Sequence, residues 1–462
     1  MRRMGSSMAR AWIWGLGLVL AVDAHAEVLT AEKAVQLALK HNTQVIGAEA
    51  NVLEGKAGLY SAYSGILPNL SATVSRSGQL TKDAVGNSAI GGIAFPPQTT
   101  LRDESYSTQP VINGRWNILN LSNLSNFSAA RAGLRAAKQG QQATRNDVAL
   151  AARRQFYEVV RAVRLAQVSS GALKLAHDDE RRVRALFEVG SVSRSELYRA
   201  QVRTSQSELD SVLQWHAVTV QRIALAEMIG VRESGMGEVD TLLTANVIEV
   251  NEPALIAEAA KQRPDLQAAD HELVSAKASV NSARFLRLPY ITLGGQMALQ
   301  SSSTSSFDQP AQDSSGAEIP GSSLTSNTRL ETDRSYGGQV ALNWDFFDGL
   351  ATDARIAGAR ARLMRAQENR DALYRNLESE VHQAVMTYRE AQEGDRLARR
   401  TLESATENLK LIQEKYNVGS STILDLIDAQ VQLQRAQSDV VSALAAIRVA
   451  EAQLNRVRGR AE

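Results

Sequence analysis

The stretch Tyr416-Asn-Val-Gly-Ser-Ser-Thr-Ile-Leu-Asp-Leu-Ile-Asp-Ala-Gln430 has a twin, Phe187-Glu-Val-Gly-Ser-Val-Ser-Arg-Ser-Glu-Leu-Tyr-Arg-Ala-Gln201, at a constant offset of 229 residues. In both copies a long helical pattern ends in an aromatic residue and a Val-Gly pair. Glycine is the residue that tolerates φ > 0 at a helix C-cap. Ser and Thr then restart a helix, Ser193-x-x-Glu196 and Thr422-x-x-Asp425 both fitting a capping box. Each copy therefore predicts the tip of a helical hairpin, and the duplication predicts one structural unit used twice.

Working outward from the tips, the helical period runs from about 119 to 189 and 196 to 229 in the first half. In the second half it runs from about 350 to 416 and 422 to 457. The last helix carries two heptad rows, Leu426, Leu433, Val440, Ile447 and Leu454 beside Ala429, Ala436, Ala443, Ala450 and Val457. Such a repeat imposes left-handed coiling on a neighbour, and alanine permits close approach. The matching row of the first half (Leu197, Thr204, Ser211, Val218, Leu225) is more polar, so the two hairpins need not pack identically.

Upstream of each hairpin lies a further helical stretch, 30–63 and 253–285, the second containing Arg263-Pro264-Asp265-Leu266. Pro68 and Pro289 end these patterns, and alternation takes over. Four strands are expected, at about 68–80, 106–118, 289–301 and 335–347. Leu70, Ala72, Val74, Ile112, Trp116, Leu293, Met297, Tyr336, Val340 and Leu342 share apolar faces opposed by Asn, Gln, Ser and Thr. The segments 79–105 and 301–334, rich in Gly and Ser, read as long loops. Residues 230–250 read as a linker with one short strand at the apolar end, Val247, Ile248 and Val250.

Composition fits long helices: of 462 residues only 9 are proline and 5% aromatic, beside long Ala/Arg/Gln/Glu/Leu runs. The 51 basic and 50 acidic residues balance, so no polyanionic partner such as nucleic acid is implied. Arg2, Arg3 and Arg10 precede an apolar run and Ala24-His25-Ala26, the pattern of a cleaved secretory signal over 1–26. There is no cysteine, hence no disulfide, thiolate metal site or lipidated cysteine. No phosphate-binding loop, His-Glu-x-x-His pattern or nucleophile elbow is present, so neither an enzyme nor a cofactor is expected.

Strands of about 10 residues with one apolar face match membrane-strand length. The helices are too long to cover such a sheet, since 119–189 would reach roughly 100 Å at about 1.5 Å per residue. Four strands cannot close a barrel with a lumen, and open edges are not tolerated in lipid. Several chains must then share one barrel, three giving twelve strands, with the Gln/Asn/Thr faces inward. Trp116 and Trp344 sit at equivalent strand ends, either as membrane-interface aromatics or packed into the strand–helix junction.

With these features in place, the chain resembles the TolC family of outer membrane factors over residues 27–457. Tyr416-x-x-Gly419 followed by Asp425-x-x-Asp428-Ala429, and the strand starts Leu67-Pro68 and Leu288-Pro289, carry the resemblance most specifically. It implies a mainly α fold with transmembrane β: a homotrimer whose twelve-stranded outer-membrane barrel continues as a twelve-helix periplasmic tunnel. The chain would divide into a signal (1–26), a first repeat (27–229), an equatorial linker (230–250), a second repeat (251–457) and a tail (458–462). Asp425 and Asp428 would match an acidic constriction ring, six carboxylates around one axis that repel anions and raise one another's pKa. Glu196 would match an acidic gate position paired with Tyr416. A member of the family carries arginine where this chain has Ser421, which would remove one charged lock. Asp425 and Glu196 also suit a plainer role as helix N-terminal caps.

The tips Val189, Gly190 and Ser191 with Val418, Gly419 and Ser420 would dock onto a periplasmic adaptor served by an inner-membrane ABC or proton-driven transporter. The function implied is an exit channel, first for type I protein secretion and second for small-molecule or drug efflux. A soluble periplasmic coiled-coil adaptor is the rival from another class.

Overall fold

The computed structural model describes residues 28–83, 89–90, 93–94, 101–243, 249–308, 317 and 325–460. The expected signal segment, Val247 and Ile248 of the linker, and the central parts of the two long loops lie outside these residues.

The first half holds α1 (Ala31–His41), α2 (Thr43–Ser64), β1 (Asn69–Asp83), the short pair β2 (Ala89–Ile90) and β3 (Ile93–Ala94), β4 (Leu101–Leu119), α3 (Leu121–Glu188) and α4 (Arg194–Ile229). The second holds α5 (Glu252–Gln262), α6 (Pro264–Phe285), β5 (Tyr290–Asp308), β6 (Thr325–Asn343), α7 (Ala351–Asn417) and α8 (Ile423–Arg458). Taken in order, the helices of the two halves have lengths of 11 and 11, 22 and 22, 68 and 67, and 36 and 36 residues.

The chain divides into two compact units. One takes Thr43–Asp147, Glu249–Met386 and Leu454–Glu462 and contains the sheet, four antiparallel strands in the order β1-β4-β5-β6. The register places Ala72, Ile112, Met297 and Tyr336 in one row across the sheet. Trp116, Leu293 and Val340 form another on the same face. These apolar side chains are largely exposed, Leu70 at 76%, Val340 at 71% and Tyr336 at 69%. The opposite face carries Asn69, Ser71, Asn113, Arg115, Gln296 and Gln339. Beneath the strands, Val280 and Ala283 of α6 pack on Ile356 and Ala359 of α7. Ser275 and Ser282 of α6 donate hydroxyl hydrogen bonds to the Ala129 and Ser122 carbonyls of α3 at 2.9 and 3.0 Å, so small residues at this contact are also polar fasteners.

The other unit takes Met1–Asn42, Val148–Ile248 and Thr387–Gln453. Here Ala162 and Ala166 of α3 pack on Val218 of α4. The more polar row of α4 is buried all the same. Thr204 is 4% exposed, and its hydroxyl lies 3.1 Å from the Ala200 carbonyl and 3.3 Å from that of Ala176, satisfying a buried polar group.

Four expectations change. The helix expected over 30–63 breaks at Asn42, whose ψ of 132° is extended and whose side chain donates to the Met228 carbonyl at 3.4 Å. The helix expected over 253–285 breaks at Arg263 because a residue before proline is pushed out of the α region; its ψ is 121°. The ladders reach further than alternation alone marks, to Asp83 and from Leu101 on one hairpin, to Asp308 and from Thr325 on the other. Ser- and Thr-rich segments with no apolar face still satisfy backbone groups by pairing. The fourth strand stops at Asn343, four residues early, where Trp344 leaves the ladder and Asp348 begins capping α7 at Thr352. In the linker the described residues make one isolated parallel bridge, Leu29 with Val239, and Arg164 donates twice to the Thr241 carbonyl. Among the described residues no helix is long and apolar enough to cross a membrane.

Candidate functional site

The two tips have the same turn. Gly190 and Gly419 take φ of 76° and 79°, the left-handed region that disfavours a Cβ. The Gly190 and Ser191 amides donate to Phe187 and Leu186, as those of Gly419 and Ser420 donate to Tyr416 and Lys415. This pattern closes the orphan carbonyls at a helix end. Val189 and Val418 are left 73% and 79% exposed at the turns.

Behind the tips, Val183 of α3, Ala200 of α4, and Ile423 and Leu426 of α8 form one buried cluster. Val192, Leu197, Leu409, Ile412, Tyr416 and Ile427 pack around it. Apolar positions three and four apart on α4, α7 and α8, with Val183 of α3, thus bring all four helix ends together. Polar side chains extend the grip along α8: Gln430 donates to the buried Asp179 carboxylate at 2.5 Å, and Arg203 donates to Gln434 at 3.1 Å.

On this scaffold Asp425 and Asp428 are both exposed, three residues apart on one face of α8. Asp425 completes a reciprocal capping box. Its Oδ2 accepts from the Thr422 amide (2.9 Å), the Thr422 hydroxyl (2.8 Å) and the Ser421 hydroxyl (3.0 Å). Its own amide donates to Thr422 Oγ1 at 3.3 Å. The Thr422 amide, then the Thr422 and Ser421 hydroxyls, hold this carboxyl below its ordinary 3.8. Within one chain the cap therefore lowers the value; the increase expected from six converging carboxylates is a property of an assembly. Asp428 accepts from Gln432 Nε2 at 2.7 Å, one turn further on. It is outside the cap and free to present charge.

The first tip differs. Ser193 Oγ accepts from the Glu196 amide at 3.3 Å, but the Glu196 carboxylate makes no return bond among the described residues. Glu196 and Tyr416, the expected gate pair, are not joined by a hydrogen bond in the single chain. The tyrosine is half-buried, and burial first, then the charge of Glu196, push its phenol above 10.0. The contact is electrostatic at longer range.

At the sheet end, the Trp116 indole donates to the Ile66 carbonyl at 2.8 Å, and Trp344 donates to the Arg287 carbonyl at 3.0 Å. Both carbonyls lie just before the prolines that start a strand, so each tryptophan fastens the junction while its ring stays exposed at 41% and 60%. The two readings of these residues are compatible.

Sequence reading passed over Arg263. It is 3% exposed and bonded to Asp265 (2.6 Å) and Glu380 (2.6 Å). Burial would lower its value, but the bonds to Asp265 and then Glu380 outweigh that and raise it. A buried cation held by two carboxylates has the Arg-Pro-Asp spacing as its signal.

The family model described as outer membrane efflux protein matches residues 255–460. Nodulation protein T of Rhizobium leguminosarum bv. trifolii is 26% identical over 283 residues, 60% of this chain and 55% of that protein. The chain thus aligns with about half the length of that relative. Outer membrane protein TolC of Vibrio cholerae is 23% identical over 341 residues, 74% of each chain. In fold, the CmeC outer membrane channel of Campylobacter jejuni matches with a TM-score of 0.74 and 17% identity, over 93% of this chain and 85% of that one. Proteins of this kind are channels and not enzymes. The duplicated tips, the proline-started strands and these likenesses agree: residues 255–460 match the outer membrane efflux protein family, and the chain is similar in sequence and fold to TolC-type outer membrane channel proteins.

Proposed function

We propose that three copies of this chain close a shared twelve-stranded barrel, continued by a tunnel of their helices, and act as a passive, gated exit duct. One observation carries the reading. The four-stranded sheet ends in β1 and β6, whose outer edges are unpaired among the described strands, while its apolar face is exposed. Unpaired backbone groups in lipid cost several kcal/mol each, about as much as a buried unsatisfied amide. A barrel of three sheets removes every edge and turns the Asn/Gln/Ser face to water. Each half, 27–229 and 251–457, would then supply two strands and one hairpin around the 230–250 segment, after removal of a 1–26 signal.

At the hairpin tips, Asp425 and Asp428 would ring the opening, with Glu196 an acidic gate position near Tyr416. The exposed valines 189 and 418, with Gly190, Ser191, Gly419 and Ser420, would meet a periplasmic adaptor coupled to an inner-membrane transporter. The energy for export would come from that transporter. Purified protein in a planar bilayer should give discrete, weakly cation-preferring channels. Replacing Asp425 and Asp428 together by Ala should raise conductance and weaken the preference; unchanged selectivity would remove the gate assignment.

Two cargo readings follow. The type I protein secretion branch is favoured by the lack of any cysteine to carry a lipid. Small-molecule efflux is favoured by the description of the matching family model. A deletion strain separates them: loss of a secreted protein with unchanged drug susceptibility supports the first, and the reverse supports the second.

A further inference from the structure

At the helix end of the sheet's polar face Arg115 is the one charged side chain lining its hollow; about six residues and more further along, the same face carries Asp103, Arg329, Glu331 and Asp333. Arg115 lies at the same level as Asn69, Gly294 and Gln339, its cross-strand partners in register. Asn113, Gln296 and Ser71 fill the next level. All of them line one hollow with Arg115, and none but Arg115 is ionised. Arg115 is exposed and makes no ion pair with any described residue. Gly294, directly across from it, contributes no side chain; a Cβ there would already lie 3.2 Å from Gln339 Cγ. The guanidinium therefore projects into open space among amides that donate as readily as they accept.

Because Arg115 sits on β4, an interior strand, its neighbours on this face come from its own sheet. No pairing between copies can bring a carboxylate from β1 or β6 directly beside it. We propose that Arg115 is a selectivity position of the barrel lumen, where three guanidiniums and their flanking amides contact carboxylate or phosphate groups on passing cargo. This inference rests on the shared-barrel reading. It gives the duct two charge filters of opposite sign, acidic at the tips and basic at the level of Arg115. A guanidinium offers a planar fork of donors to such groups. At physiological salt its field reaches about 8 Å, so in a wide lumen it acts on groups near the wall without blocking small ions.

The test is reversal potential and polyanion block in planar bilayers, using the full-length protein with Asp425→Asn and Asp428→Asn so that the tip charges do not dominate. In that background Arg115→Gln should raise the cation-to-anion permeability ratio by about twofold, and Arg115→Glu more, as a charge at a pore wall acts through its local potential. Inorganic tripolyphosphate added from the strand-loop side should block the Arg115 channel and lose at least about tenfold in potency against Arg115→Gln, as expected for loss of a charge-assisted contact. The glutamine variant keeps a side chain of similar reach at an exposed site, so channel formation persists. Conducting channels whose selectivity and block are unchanged would overturn this inference alone. Absence of channels from the unaltered protein would overturn it together with the barrel reading.

Discussion

Four glycines close helices in this chain with nearly the same backbone, yet they live in two kinds of surroundings. Gly190 and Gly419, at the hairpin tips, have φ of 76° and 79° and nothing within 4 Å of where a Cβ would stand. Gly230 and Gly459, at the C-terminal ends of α4 and α8, have φ of 69° and 90°, and a Cβ there would meet His41 Cβ at 2.5 Å and the Gln262 carbonyl at 2.8 Å. The tips are turns kept open, whereas the far ends of the same hairpins are closed against the C-termini of α1 and α5. Conformation alone explains the first pair; close approach is added in the second.

The largest effect is expected at Arg263, beside the crowded Gly459. Replacing it by Met leaves Asp265 and Glu380 without their shared cation; because both carboxylates are part-exposed and Glu380 keeps Arg456 at 3.4 Å, the loss is at the low end for a broken buried pair, about 3 kcal/mol. Urea denaturation followed by helical circular dichroism should show a loss of that size. Next come Gly459→Ala and Gly230→Ala, where left-handed strain and a clash with packed neighbours add to about 2–3 kcal/mol. By contrast, Gly190→Ala and Gly419→Ala should cost only the backbone term, about 1–2 kcal/mol. Equal costs at tips and far ends would break the distinction.

Smaller effects separate the tips from each other. Asp425 is ionised more readily in the folded chain than unfolded, so its contribution is fully present above its ordinary 3.8 and fades as pH falls through the lowered folded value. Acid titration of stability should therefore steepen in the unaltered protein relative to Asp425→Asn, with no such change for Glu196→Gln. The smallest effect is spectroscopic. Tyr416 is held above 10.0 by burial and then by Glu196, so its neutral-state stabilisation is lost as pH rises past 10.0 toward the folded value. Glu196→Gln should shift its ultraviolet ionisation step toward lower pH; an unmoved step would mean the two residues do not interact.

What was legible in the sequence follows the same division. Positive φ at Gly190 and Gly419 could be read from Val-Gly followed by a capping box, and the strand faces from period-two alternation at Leu70, Ala72 and Val74. The break at Arg263 was written in Pro264 but masked by helical periodicity on both sides. The crowding at Gly230 and Gly459 was invisible, because His41 and Gln262 are distant in the chain and no local pattern marks them. Within the candidate site, the Asp425 cap was legible as Thr-x-x-Asp. The failure of Glu196 to make the same return bond was not, since side-chain placement there depends on how four helix ends converge. The junction bonds of Trp116 and Trp344 were likewise set by tertiary geometry.

In the proposed barrel the outer edges of β1 and β6 are paired by other copies of the chain. The mass of the detergent-solubilised protein, measured by light scattering with the detergent contribution removed, tests this most directly. Three chains per particle is the predicted result, and a single chain that remains dispersed without detergent would contradict it.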